Sequence, residues 1–135
     1  MYIQKSIIDI HHHAIFQKPK SNLKLPDWSI ESDDEAMERM GICGALLSLP
    51  ISGPANVIRK INVALADLYN FNTAKYGMLA SLPLGDTDAA LLEVDFALNK
   101  LDADGFIMPA NYQGNYLGSN TLIPILEELN RYYAP

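Results

Sequence analysis

A fourfold alternation of short β-type runs with amphipathic helical stretches constrains the fold more than any other feature of this sequence. The apolar runs end near His13, Pro50, Pro83 and Pro109, at spacings of 37, 33 and 26 residues. The tripeptide Ser-Leu-Pro closes both the second run (48–50) and the third run (81–83). Strands joined by crossover helices of this length pair in parallel with right-handed connections. We therefore predict an α/β fold with four strands, over residues 6–13, 42–49, 76–82 and 105–108.

Helix start and stop signals lie between these runs. Ser32 and Glu35 have the spacing of a capping box, which predicts a first helix that begins at Ser32 and ends at Gly41. The third helix is expected to begin at Asp86 or Thr87. The fourth is expected to begin at Asn120 or Thr121. The second helix has a single apolar stripe at helical spacing, formed by Val57, Ile58, Ile61, Leu65, Leu68 and Tyr69.

Composition narrows the class of function. The chain has 135 residues, a length typical of one domain, and 49% of them are hydrophobic, which excludes a disordered chain. Its net charge of −6 disfavours binding to the phosphate backbone of nucleic acids and to anionic lipids, so we expect no nucleic-acid or membrane partner. No apolar run is long enough to span a bilayer, and the N-terminus lacks the pattern of a signal peptide. The single Cys43 is expected to be buried, and its lone thiol fits the reducing cytoplasm.

The segment DIHHH at the end of the first strand is the main candidate for chemistry. Functional sites of α/β proteins lie at the carboxyl ends of parallel strands. Because side chains alternate along a strand, His11 and His13 should face one side and His12 the other. Two imidazoles on one side can bind a single divalent metal, and Asp9 could orient one of the rings by accepting a hydrogen bond. The alternative is a histidine-containing surface loop that binds nothing.

Two further residues are candidates for lining a substrate site. Trp28, the only tryptophan, follows the first strand and could form a wall of the site or anchor its loop on the domain. Asn111 follows the fourth strand, next to Tyr112, and could bind a ligand or satisfy nearby backbone groups. Gly114 and Gly118 match no nucleotide-binding pattern and indicate turns.

Taken together, these motifs resemble the amidohydrolase superfamily. The DIHHH segment is similar to the Asp-x-His-x-His opening of that superfamily. Further stretches resemble its branch related to aminocarboxymuconate-semialdehyde decarboxylase and 6-methylsalicylate decarboxylase. They are residues 26–29 (PDWS), 40–42 (MGI), 82–84 (LPL), 103–106 (ADGF) and 111–118 (NYQGNYLG).

The resemblance implies a TIM-type (β/α)₈ barrel with a divalent metal, most often zinc, at the carboxyl end of its strands. His11 and His13 match the metal ligands of the family's first strand, with Asp9 beside them. In the decarboxylase branch the metal-assisted reaction releases carbon dioxide from a small carboxylate. The hydrolytic branches instead attack a carbonyl with metal-activated water. The resemblance therefore implies a metal-dependent lyase, with a hydrolase as the alternative.

The resemblance also implies parts that this sequence does not contain. The family draws further metal ligands and catalytic residues from strands five to eight, whereas this chain stops at residues 130–135 (NRYYAP). We therefore expect residues 1–135 to form one partial domain, a parallel (βα)₄ half of the barrel truncated after the fourth helix. Such a chain would be incomplete or inactive alone, and the alternative is a non-catalytic half-barrel or a decayed product. Unpaired sheet edges lead us to expect a homo-oligomer.

Overall fold

Four parallel strands in chain order form the central sheet. The computed structural model describes residues 7–16, 25 and 27–135. The strand order β1-β2-β3-β4 is that of successive strands in a (β/α)₈ barrel, so the predicted half-barrel is confirmed. The elements are β1 (Ile7–His13), α1 (Ile30–Met40), β2 (Ile42–Ser48), α2 (Ala55–Tyr69), β3 (Tyr76–Ser81), α3 (Thr87–Lys100), β4 (Gly105–Ile107), β5 (Asn111–Tyr112), β6 (Asn115–Tyr116) and α4 (Ile123–Arg131).

The core lies between the two central strands and the helices that pack on them. Leu47 of β2 and Met78 of β3 are fully buried, as is Ile58 on the inner side of α2. The outer strand β1 is different, because Ile8 and Ile10 are 63% and 68% exposed. Among the helices described, none is long and apolar enough to cross a membrane.

The first helix begins earlier than predicted. Ser29, not Ser32, is the N-cap: the Ser29 hydroxyl accepts from the Ser32 backbone N–H, and Ser32 bonds back to Ser29. The helix extends to Ile30 because that side chain joins the core, where it is 6% exposed. Gly41 ends the helix as predicted, with a φ of 70° that disfavours a side chain.

The third helix begins as predicted, but the fourth begins later. Asp86 caps α3 by accepting from the Ala89 backbone N–H at 3.0 Å. The prediction of Asn120 or Thr121 as the start of α4 was wrong, because residues 119–122 form a turn that buries Leu122. Pro124 then occupies the first turn of α4, where its missing N–H costs nothing.

A small hairpin after β4 was not predicted. Strands β5 and β6 pair in antiparallel fashion around Gln113 and Gly114, whose φ values are 49° and 86°. Positive φ at both central residues defines the tight hairpin turn that matches strand twist. Gly114 and Gly118 are therefore turn residues, as predicted, but glutamine at the first position concealed the hairpin.

Cys43 is exposed, so the prediction of a buried thiol was wrong. Alternation would place Cys43 on the same face as the buried Ala45, but the pairing of β1 with β2 shifts by one residue between Ile42 and Gly44, so Cys43 lies at an irregularity of the strand. There the thiol donates a hydrogen bond to the Ile7 carbonyl at 3.1 Å.

Candidate metal centre

A β-bulge shapes the carboxyl end of β1, where the candidate residues lie. Asp9 pairs with Ala45 and His12 pairs with Leu47, so three steps along β1 match only two along β2. A bulge adds one residue to a strand and redirects the side chains that follow it. Simple alternation of side chains therefore does not hold between Asp9 and His12.

His11 and His13 face each other, as the sequence predicted. Their Nε2 atoms are 3.1 Å apart, and the rings meet edge to face with their centroids 4.7 Å apart. A divalent ion bound to two imidazole nitrogens at about 2.0–2.1 Å and near-tetrahedral or octahedral angles holds them about 2.9–3.4 Å apart. The two nitrogens therefore fit adjacent ligand positions on one ion.

His12 points away from this pair and lies between two carboxylates. Its Nδ1 is 3.0 Å from Oδ2 of Asp9, and its Nε2 is 3.0 Å from Oδ1 of Asp33 in α1. Both ring nitrogens are occupied, and the side chains of His12 and Asp33 are only 15% and 11% exposed. His12 therefore ties β1 to α1 and has no free nitrogen for a metal.

Alternation along β1 suggested that Asp9 would contact the ring of His11 or His13, but its side chain contacts the ring of His12. Its Oδ1 accepts the backbone N–H of His11 at 3.0 Å, while its Oδ2 contacts the His12 ring. The bulge is the physical reason, because it brings Asp9 and His12 to the same side of β1. Asp9 therefore contacts the candidate ligand His11 through its backbone N–H and not through its ring.

Ser48, at the end of β2, belongs to the site and was missed as a site residue. Its side chain is fully buried, and its Oγ lies 3.2 Å from Nδ1 of His13. The same hydroxyl donates to the carbonyl of His12 at 3.2 Å. The repeated Ser-Leu-Pro tripeptide was the available signal, since it places a serine at the carboxyl end of β2, beside β1.

The environment favours the protonation states that metal binding requires. Burial lowers the pKa of His13 below its ordinary 6.5, and the neighbouring His11 ring lowers it further. A neutral imidazole is the form that binds a metal. The His11 backbone N–H and the His12 ring hold the pKa of Asp9 below its ordinary 3.8, so its carboxylate is charged near neutral pH.

The described residues offer two candidate ligands, His11 and His13, and no larger group of donors. Within residues 7–16, 25 and 27–135, no group of three or more His, Cys, Asp or Glu side chains is arranged to hold a metal. Stable zinc sites have three or four protein ligands. A metal at His11 and His13 therefore requires further donors from water, substrate or another polypeptide segment.

The contacts given for the two candidate substrate residues, Trp28 and Asn111, are with groups other than the histidines. Trp28 is partly buried and packs against the core, and its indole N–H has no acceptor among the residues described. The Asn111 side chain accepts the Gly114 backbone N–H at 3.1 Å within the hairpin turn. These contacts fit a loop anchor and a turn-forming residue. Pro26, the first residue of the motif at 26–29 (PDWS), lies outside the described residues.

Sequence comparisons find relatives of this chain among decarboxylases of Aspergillus species. It is 34% identical to a 6-methylsalicylic acid decarboxylase of Aspergillus aculeatus and 36% identical to a decarboxylase of Aspergillus niger. Each alignment covers 94% of this chain, but only 45% and 41% of the respective relative. The chain thus spans about half the length of the curated relatives it matches. No protein-family model matches the chain.

Solved structures agree on the architecture. A protein described as amidohydrolase II superposes with a TM-score of 0.80 at 26% identity, over 96% of this chain and 48% of that one. A 2,6-dihydroxybenzoate decarboxylase superposes with a TM-score of 0.73 at 20% identity, over 97% and 48%. The architecture is therefore half of an amidohydrolase-type barrel. Together with the sequence relatives, it confirms the resemblance of this chain to part of the amidohydrolase superfamily, in particular to the 6-methylsalicylic acid decarboxylases.

Proposed function

We propose that this chain carries the first-strand metal ligands, His11 and His13, of a metal-dependent decarboxylase. The observation that supports the proposal is the 3.1 Å separation of their Nε2 atoms at the carboxyl end of β1. A surface loop without function would not need a bulge, two carboxylates and a buried serine to hold three histidines. The site is incomplete in the described chain, so catalysis requires additional ligands.

The substrate we propose is a small aromatic carboxylate. The sequence relatives include 6-methylsalicylic acid decarboxylases, and one structural relative was solved with 2,6-dihydroxybenzoate. A bound divalent metal supplies Lewis-acid polarisation of substrate oxygens. In the reaction the bond between ring and carboxylate breaks, carbon dioxide leaves, and a proton takes its place on the ring carbon. The part assigned to this chain is to hold His11 and His13 in one orientation, through Asp9 and Ser48.

Zinc is the metal that we propose for this donor pair. Imidazole nitrogen is a ligand typical of zinc, whereas manganese prefers oxygen donors. A structural relative, 5-carboxyvanillate decarboxylase of Novosphingobium aromaticivorans, was solved with bound manganese at 21% identity and a TM-score of 0.71. Titrations with both ions therefore belong in the same experiment.

Metal binding by the purified chain is the first test. We expect calorimetric titration with Zn²⁺ to show one site, and His11→Ala and His13→Ala each to weaken it at least about tenfold. His12→Gln is the matched control, because it removes a neighbouring imidazole whose nitrogens face carboxylates but keeps an amide that can donate to a carboxylate. Equal weakening by all three substitutions would contradict the assignment, as would a wild-type chain that binds no zinc.

Carbon dioxide release is the second test. The zinc-loaded chain and the manganese-loaded chain are incubated with 6-methylsalicylate, and released carbon dioxide is measured. We expect binding of zinc with little or no turnover by this chain alone. Stoichiometric zinc without any turnover, even after a segment bearing the missing ligands is added, would favour the non-catalytic half-barrel.

We also propose that residues 1–135 act as one partial domain that self-associates through β1. This strand pairs only with β2 among the described strands, and it exposes Ile8 and Ile10. An unpaired strand with apolar side chains is a template for pairing with another chain. The single thiol of Cys43 fits a reducing compartment, so we propose a cytoplasmic location.

A further inference from the structure

Two buried serines occupy equivalent places at the ends of neighbouring strands. Ser48 pairs with His13 of β1, and its hydroxyl donates to the carbonyl of the preceding residue, His12. Between β2 and β3, Ser48 aligns with Leu79. If this register continues for two more residues along both strands, Ser81 aligns with Pro50. The Ser81 hydroxyl donates to the Leu49 carbonyl at 2.8 Å, again one residue before its partner. Donation to a strand-end carbonyl is thus common to both Ser-Leu-Pro tripeptides.

Only Ser48 has a histidine beside its hydroxyl. A serine hydroxyl has one proton to donate and two lone pairs with which to accept. If the Ser48 proton is donated to the His12 carbonyl, the contact of 3.2 Å with Nδ1 of His13 must be an N–H donated by the ring. A neutral imidazole has one N–H, so Nε2 of His13 then carries a lone pair.

We propose that Ser48 is a positioning residue that selects the Nδ1–H tautomer of His13 and thereby directs the Nε2 lone pair at a metal. The claim rests on the proposed function insofar as it concerns metal binding. The opposite tautomer would place a hydrogen on Nε2, 3.1 Å from Nε2 of His11, and close the position to a metal. In metal-bound histidines the ring nitrogen that does not bind the metal usually donates its N–H to an acceptor, here the Ser48 hydroxyl oxygen. That hydrogen bond sets both the tautomer and the orientation of the ring.

The tautomer can be measured without metal, in the wild-type chain. Long-range ¹⁵N–¹H correlation spectra distinguish a protonated Nδ1 from a protonated Nε2. We expect His13 of the metal-free chain to be predominantly the Nδ1–H form above pH 7. A predominantly Nε2–H form would overturn the proposal, whether or not the chain binds zinc.

Matched substitutions separate positioning from stability. Ser48→Ala and Ser81→Ala each remove one buried strand-end hydroxyl, but only the first contacts a histidine. We expect Ser48→Ala to produce a mixture of His13 tautomers and to weaken Zn²⁺ binding about tenfold. Ser81→Ala should leave both unchanged, and Ser48→Thr, which keeps a hydroxyl, should restore both.

The outcomes distinguish this proposal from the proposed function. An unchanged tautomer in Ser48→Ala, or equal losses of zinc affinity in Ser48→Ala and Ser81→Ala, would overturn the role of Ser48. A wild-type chain with the Nδ1–H form but no zinc binding would instead contradict the metal site alone. If Ser48→Ala does not fold, the wild-type tautomer and the Ser48→Thr variant still decide the question.

Discussion

The carboxyl ends of β1 and β3 have similar polar content but differ in what their polar atoms contact. At the end of β3, Asn62 bonds the backbone N–H and carbonyl of Ser81 and also Glu93, whose second oxygen accepts from Arg59. Asn62, Ser81 and Glu93 are at most 2% exposed. Each of these polar atoms has a protein partner, so we interpret the network as stabilising the end of β3.

At the end of β1 the polar atoms are less completely paired with the rest of the protein. His12 is held by two carboxylates and His13 by Ser48, whereas among the residues that the structure describes the Nε2 atoms of His11 and His13 contact only each other. In the buried network the named atoms of Asn62, Ser81 and Glu93 are bonded to protein groups, whereas the two histidine nitrogens could share a cation.

Disrupting the buried network should have the largest effect on stability. Asn62→Ala leaves the Ser81 backbone groups and one oxygen of the Glu93 carboxylate without their partner, while Arg59 still contacts the other oxygen, so we expect a loss of about 3 kcal/mol in the free energy of unfolding. Urea denaturation measures it. Asn99→Ala, which removes an exposed amide bonded to Asp95, is the control and should change stability by about 0.5 kcal/mol or less. Comparable losses in the two variants would contradict the role of the network.

Disrupting the His12 clamp should cost less, because it is partly exposed. His12→Ala removes both carboxylate contacts, and we expect a loss of about 2 kcal/mol with faster amide exchange in β1. A double-mutant cycle with Asp33→Ala should give a coupling of about 1 kcal/mol between the two residues. Strictly additive effects would mean that the 3.0 Å contact contributes nothing to stability.

Changing the exposed edge of β1 should alter association rather than stability. Ile10→Lys places a charge on β1, which is paired with β2 but lies at the edge of the described sheet, so we expect the dissociation constant of a homodimer to rise about tenfold in sedimentation experiments. Leu92→Lys is a matched control, since Leu92 on α3 is 70% exposed and Ile10 is 68% exposed. A wild-type chain that stays monomeric at high concentration would contradict association through β1.

The smallest expected effect is the pH dependence contributed by His13. Its pKa in the folded chain lies below the ordinary 6.5, so between these two values the unfolded chain binds more protons. Stability should therefore rise with pH up to about 6.5 and then level off, as far as this residue is concerned. His13→Gln should reduce that slope in urea denaturation between pH 5 and 8. A slope that is unchanged, or steeper, would show that His13 is not held in its neutral form.

Much of the fold could be predicted because its signals are local. The four strand–helix units follow from apolar runs and periodicity, and the facing of His11 and His13 follows from alternation. The bulge at Asp9 could not be predicted, because it depends on how β1 registers with β2. The same limit applies to Ser48, whose role depends on a contact 35 residues away along the chain. The start of α1 was missed because burial of Ile30 decided it, and local capping patterns do not show burial.

The proposed function requires His11 and His13 to bind one divalent metal through their Nε2 atoms. Its most direct test is the ¹⁵N spectrum of all three histidine rings as Zn²⁺ is added to the metal-free chain. We predict that one equivalent of zinc shifts the Nε2 resonances of His11 and His13 together and leaves both nitrogens of His12 unchanged. Zinc-induced shifts centred on His12, or no shift in any ring, would contradict the account.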